Sequence, residues 1–245
     1  MKNKIRLLIF SCVLLFLCCN CRAFEPNDSE QINSIIKKLN QAAAGLKNLS
    51  AKIEYIHAQP LFETQTVRNG RVFYTKDANY CALRINFTTM KQEDAAQQNY
   101  REDYIFDGWK MTKIDYQSKS ATSERLAKEK PIEPFELVQS FFPIIGFAKP
   151  AELAGQFDIK LQEKTGLLLI PKETGEYFKT YKQVEVKIDP KNFLPYDFSA
   201  ITSEDEKIRI NLSQIDTKNT VKKDVFDIVM LADFIMSEKK VDAND

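Results

Sequence analysis

The sequence predicts an α+β, mainly β fold: a single curved antiparallel sheet of about 10–11 strands, whose concave face is covered by an N-terminal helix and mid-chain helices. Three observations predict it. Apolar and polar residues alternate in short runs along most of the chain, the period of half-buried strands. One segment near the start has helical spacing instead. An apolar stretch broken by proline and glycine divides the strands into two groups. A sheet this wide curls or closes, and the helices beside it have one apolar face to cover.

The first residues are a leader. Lys2, Lys4 and Arg6 are positive, and residues 7–17 are apolar except for Ser11. Cys18 and Cys19 extend a run that remains shorter than the roughly 20 residues of a membrane span. No acidic residue precedes Glu25, and Cys21-Arg22-Ala23 offers a cleavage site after Ala23. Residues 1–23 therefore read as a signal peptide, with an uncleaved anchor or a lipidated cysteine as alternatives. Leu17, Cys18 and Asn20 are poor residues to precede a lipidated cysteine.

Residues 24–245 are long enough to bury a core and read as one domain. The leader holds four of the 35 basic residues and none of the 34 acidic ones, so the remainder carries a small negative net charge. No basic excess points to nucleic acid. Of five cysteines only Cys81 lies beyond the leader, so the exported part cannot form an internal disulfide. Between Tyr80 and Leu83, Cys81 reads as a small core residue.

Each element has its own signal. Asp28 or Ser29 can cap a helix in which Ile32, Ile35, Ile36 and Leu39 form one apolar stripe, and Gly45 is a natural stop. Leu49, Ala51, Ile53 and Tyr55 alternate with Ser50, Lys52 and Glu54 in a first strand. Residues 67–75 form a second, and Cys81, Leu83, Ile85 and Phe87 mark a third. Tyr104-Ile105-Phe106 and residues 109–114 flank Asp107-Gly108, a two-residue hairpin signal. Residues 117–126 read as a polar strand.

Pro131 and Pro134 then change the pattern, and lid helices are expected over about residues 132–156, broken at Pro143 and Gly146. Strands resume at Phe157-Ile159-Leu161, residues 167–170, Val184-Val186-Ile188, and the pair 196–201 and 207–215 around the acidic turn Ser203-Glu204-Asp205-Glu206. Residues 225–231 are expected to close the sheet, and residues 237–245 to form a loose tail.

No signature of catalysis emerges. His57, the only histidine, has no partner in a motif, and neither a Cys-x-x-Cys beyond the leader nor a Gly-rich phosphate loop occurs. The carboxylates Glu102-Asp103 and Glu204-Asp205-Glu206 read as solvated turn or surface groups. A binding protein is expected, not an enzyme, with no metal and no cofactor.

The element order and several local strings resemble one family. Leu46-Lys47-Asn48-Leu49-Ser50-Ala51, Gly70-Arg71-Val72-Phe73-Tyr74, Ile105-Phe106-Asp107-Gly108-Trp109, Leu169-Ile170-Pro171-Lys172 and Asp197-Phe198-Ser199-Ala200 are similar, in that order, to strings of the LolA-type periplasmic lipoprotein carriers. The resemblance implies a periplasmic half-barrel whose hydrophobic cavity carries the acyl chains of lipoproteins. The implied partners are acylated lipoproteins, an inner-membrane lipoprotein-releasing ABC transporter and, where present, an outer-membrane acceptor. A monomer is expected.

The cavity residues expected on this reading are Ile53, Tyr55, Phe73, Leu83, Ile85 and Phe87 on the first three strands, with Trp109 and Met111 on the hairpin. Phe141, Phe142, Ile144, Ile145 and Phe147 are expected on the lid. Where the family's carriers hold the lid with an arginine, this chain has Lys76, which can donate hydrogen bonds but lacks the planar fork. An RseB-like sensor on the same half-barrel is the alternative role, and an exported hydrolase a third.

Overall fold

The computed structural model describes residues 28–78, 80–132, 150–229 and 233–239. The expected leader, the lid run at 133–149 with Phe141, Phe142, Ile144, Ile145 and Phe147, and residues 240–245 of the tail lie outside the described residues.

Helix α1 (Asp28–Gly45) opens the described chain. Asp28 and Glu30 in its first turn suit the positive end of the helix dipole. Ile32, Ile35, Ile36 and Leu39 point one way and are buried. They sit against Leu153 and Phe157, then Leu167, Leu169, Val184, Val186, Ile188 and Phe198. Leu153 belongs to the short helix α2 (Pro150–Gln156), as the sequence predicts.

Two antiparallel meanders make the sheet. The first comprises β1 (Asn48–Gln59), β2 (Thr64–Lys76), β3 (Cys81–Gln92), β4 (Gln98–Phe106), β5 (Lys110–Asp115) and β6 (Ser120–Arg125). The second comprises β7 (Phe157–Gln162), β8 (Gly166–Pro171), β9 (Tyr181–Ile188), β10 (Pro195–Thr202) and β11 (Lys207–Asp216). β1 pairs with both β2 and β11, so the meanders join into one unclosed sheet. A last strand, β12 (Ile235–Lys239), adds to the free side of β6. The described sheet thus has 12 strands in the order β12-β6-β5-β4-β3-β2-β1-β11-β10-β9-β8-β7.

Register assigns every side chain to a face. Ile210 on β11 packs with the α1 cluster and lies opposite Tyr55. Ala51, Ile53, Tyr55 and His57 therefore share the inner face that carries α1. From β1 the inner face continues through Arg68, Gly70, Val72 and Tyr74 on β2, then Leu83, Ile85 and Phe87 on β3. On β4 and β5 it holds Glu102, Tyr104, Phe106, Met111 and Lys113. Close approach of β2 and β3 at the bulge beside Asn69 requires Gly70: a Cβ there would collide with the Asn86 carbonyl oxygen.

The structure departs from the sequence reading in four places. First, residues 225–231 do not form a strand where they are described; Lys223–Phe226 is a 3₁₀ turn. The chain after β11 instead crosses the outer face. The Val221 N–H donates to Asn48 Oδ1 at 3.1 Å, Arg84 Nη1 donates to the Val225 carbonyl at 2.6 Å, and Phe226 meets Tyr80 edge-on. Ile228 and Phe234 then cover Ile105, Ile114 and Ala121.

Second, Ser237–Lys239 of the expected loose tail belong to β12, which runs parallel to β6. A crossover as long as this strap permits a parallel pair, which a short turn cannot make. Third, the hairpin after β4 centres on Gly108-Trp109. The Asp107 N–H bonds the Lys110 carbonyl, and Gly108 takes φ +90, as the first central position of a type II′ turn requires. Asp107 contributes its carboxylate, which accepts from the Trp109 and Lys110 amides at 3.0 Å each.

Fourth, Glu102 and Asp103 are not solvated: they are 1% and 0% exposed, on opposite faces of β4. On the outer face Asp103 accepts from Arg84, Asn86 and the Tyr116 hydroxyl, which satisfies it without water.

Truncating the α1 stripe tests this core. Ile36→Ala is expected to lower the unfolding free energy by about 2–5 kcal/mol, and exposed Lys37→Ala by less than about 0.5 kcal/mol, in urea denaturation.

Candidate functional site

The cluster under α1 ends at β11, so the inner face of β1–β5 is a separate surface. Its two ends differ. Toward the hairpin at Gly108 it is apolar: Ile53, Val72 and Phe106 are buried, and Leu83, Ile85 and Met111 are half-buried. Leu83 also touches the group formed by Leu46, Tyr74 and Leu194 at the end of α1. Toward the β1–β2 hairpin the same face is aromatic and charged. Tyr55 and Tyr104 flank Phe87, with ring centroids 6.2 and 6.4 Å from it.

Glu102 anchors the charged end. Its Oε2 accepts from Arg68 Nη1 at 2.9 Å, and its Oε1 meets Lys113 Nζ at 2.7 Å. The Arg68 guanidinium lies 5.4 Å from the Tyr100 ring centroid, and the Lys113 ammonium 5.5 Å from that of Tyr104, both distances for cation–π attraction. At the rim His57 Nε2 lies 2.9 Å from Glu206 Oε2, while Gln59 Nε2 donates to the other oxygen at 2.6 Å. The bonds from Gln59 and His57 hold the Glu206 carboxyl below its ordinary range. His57 thus has a carboxylate partner that its sequence neighbourhood does not announce. With Gln59, the pair ties β1 to the β10–β11 turn.

Of the cavity residues expected from sequence, Ile53, Tyr55, Leu83, Ile85, Phe87 and Met111 stand on this one face. Phe73 does not. It pairs with Ser50 and Arg84 on the outer face, where the Arg71 guanidinium stands 5.3 Å from its ring centroid. Val72, its neighbour, takes the inner position. Trp109 sits at the hairpin tip, 37% exposed, with Arg125 over its ring. Lys76 ends β2, and its backbone N–H donates to the Lys47 carbonyl at 2.8 Å.

The family profile described as "Outer membrane lipoprotein carrier protein LolA" matches residues 95–229, which spans β4 through β11 and the start of the strap. The chain belongs to the LolA family. No curated protein is similar to it in sequence.

Among solved structures, an uncharacterized conserved protein from Thermus thermophilus is similar with 10% identity and TM-score 0.47, over 87% of this chain and 100% of that one. A chain of the Pseudomonas aeruginosa MucA/MucB complex is similar with 13% identity and TM-score 0.47, over 81% of this chain and 61% of that one. A LolA superfamily protein from Nitrosomonas europaea is similar with 12% identity and TM-score 0.34, over 80% and 96%. Among the described residues of this LolA family member, no group of three or more His, Cys, Asp or Glu could hold a metal ion.

The tyrosine phenols of the fold, on this face and elsewhere, give a pH signature. Burial, the largest cause in every case, raises Tyr55, Tyr80, Tyr100, Tyr104, Tyr116, Tyr177 and Tyr181 above the ordinary 10.0. Burial pulls Lys113 down, but its hydrogen bond to Glu102 and the charges around it prevail, so it rises above 10.5. The folded chain therefore keeps protons that the unfolded chain releases at the ordinary values. Stability from these groups is complete below pH 10 and is lost as pH rises through the raised values. Phenolate absorbance of the folded protein is expected to develop at higher pH than that of the urea-unfolded chain. The urea midpoint is expected to be lower at about pH 11 than at about pH 8.

Proposed function

We propose that this protein is an exported, periplasmic carrier that binds the acyl chains of lipoproteins on the inner face of β1–β5. Its role is binding, not catalysis. It receives acylated lipoproteins from an inner-membrane releasing transporter and passes them to an outer-membrane acceptor. Membership of the LolA family is the observation that carries this reading, and the strip formed by Ile53, Val72, Leu83, Ile85, Phe106 and Met111 supports it.

The physics of the strip suits the task. An acyl chain gains about 0.8 kcal/mol for each CH₂ removed from water, on the order of 10 kcal/mol for a long chain. A carrier must supply such a surface and still release its cargo. Side chains that are half-buried, such as Leu83, Ile85 and Met111, retain apolar area to offer.

Organic extraction of the purified protein, followed by mass spectrometry, is expected to yield acyl lipids. Ile85→Asp places a charge on the inner strip and is expected to reduce that yield by about tenfold or more. Phe73→Asp, on the outer face, is expected to leave it unchanged. Absence of acyl lipid from the unsubstituted protein, or equal loss in both variants, would refute the assignment.

A further inference from the structure

The carrier reading accounts for the apolar end of the inner face and leaves the charged end unexplained. Arg68, Glu102 and Lys113 come together from three different strands, with Phe87 opposite Glu102 and Tyr104 opposite Lys113. Two cations meet one carboxylate there. That carboxylate is 1% exposed, whereas the side chains of Arg68 and Lys113 are 27% and 46% exposed. The cations are therefore the members of the cluster that solvent, or a ligand, can reach.

The neighbouring carboxylates are engaged mainly by their own surroundings, although the charge of Lys113 also acts on Asp115. Asp115 lies opposite Glu102, but its Oδ1 accepts the Gln117 and Ser118 amides of its own turn at 2.9 and 3.1 Å. Glu206 is held by Gln59 and His57. The Arg68 guanidinium makes one bond to Glu102, and its Nε is buried with no acceptor among the described residues. A buried donor of a charged group left without an acceptor is costly, and a guanidinium and an ammonium side by side are suited to carboxylate or phosphate oxygens.

Distance along the strands connects this site to the strip. From Tyr74, at the apolar end of β2, to Arg68 is about 20 Å of strand. The inner positions between them are Val72 and Gly70, and Gly70 has no side chain to stand between Ile53 on one neighbour and Phe87 on the other. One face thus offers an apolar track that ends at a pair of cations, a polarity matched by an amphiphile with a single negative end.

Resting on the carrier reading, we infer that Arg68 and Lys113 form a headgroup site for an anionic amphiphile, in which a phosphate or carboxylate meets the two cations while its acyl chain follows the track toward Leu83 and Met111. Glu102 is a positioning residue. It holds both cations at the inner face and takes no part in ligand contact.

Calorimetric titration of the full protein with dodecyl phosphate, dodecanoate and uncharged 1-dodecanol, below their aggregation concentrations, tests this. The two anionic probes are expected to bind about tenfold or more tighter than the alcohol, as charge-assisted hydrogen bonds imply. Lys113→Gln is expected to reduce that ratio at least about threefold, and exposed Lys91→Gln to leave it unchanged. Because removing Arg68 could unfold the protein by isolating buried Glu102, Arg68→Lys is the second variant. It keeps the charge, loses the fork, and is expected to weaken the phosphate probe more than the alcohol.

Equal affinity for charged and uncharged probes, or a ratio indifferent to Lys113→Gln, would overturn the headgroup site while leaving the carrier reading intact. Failure of all three probes to bind would overturn both. Inorganic phosphate binding as tightly as dodecyl phosphate would identify a free-anion site and overturn the amphiphile.

Discussion

Pairing of β1 on both sides is the constraint from which the rest of the molecule follows. Among the described strands, β1 is the one through which the first meander, β1–β6, pairs with the second, β7–β11, and it does so antiparallel through β11. Side chains in a strand alternate strictly, so a slip of one residue at this seam would turn Tyr55 outward and Glu54 inward, and would move every inner residue of β2–β5 away from the face that carries α1. The approach of β2 to β3 at Gly70 pins the register further out, since no other residue fits beside the Asn86 carbonyl.

The outer face shows why only the inner one is left with an apolar strip. The strap after β11 lays Ile228 and Phe234 over Ile105, Ile114 and Ala121 and fastens itself through Arg84, which bonds both the Val225 carbonyl and the buried Asp103. A buried ion pair is a weak source of net stability but a strict one in geometry, because either partner left alone is costly. The strap delivers β12 to the edge beside β6. That strand is short and carries Glu238 and Lys239, which discourages further edge-to-edge pairing.

How much of this was legible in sequence depends on the local pattern. The β1 residues Ala51, Ile53 and Tyr55 alternate cleanly with Lys52 and Glu54, and their shared face could be read directly. Val72-Phe73-Tyr74 is apolar throughout, so alternation cannot say which of the three faces inward; only pairing with Ala51 and Leu49 shows that Val72 and Tyr74 do. The strap has no periodic pattern because its side chains pack over an existing sheet instead of forming a ladder. Glu102-Asp103 looked solvated because carboxylates are seldom buried without partners, and their partners, Arg68, Lys113, Arg84 and Asn86, come from other strands. A sequence shows composition along a strand and conceals charge compensation between strands.

That compensation determines how an apolar track and a charged cluster coexist on one surface. Two cations at the end of a hydrophobic face would be expensive to desolvate if left alone. Glu102 removes much of that cost from within the sheet, and the ring centroids of Tyr100 and Tyr104 lie 5.4 and 5.5 Å from the two cations. Much of the cost of holding positive charge beside the strip is thus met by the fold before any ligand arrives, while Arg68 Nε still has no acceptor among the described residues. An incoming anion then needs only to share Arg68 and Lys113 with Glu102, and its departure leaves neither cation unpaired. Such sharing favours moderate affinity over tight capture, which is the property a surface must have if it is to take up cargo and give it away.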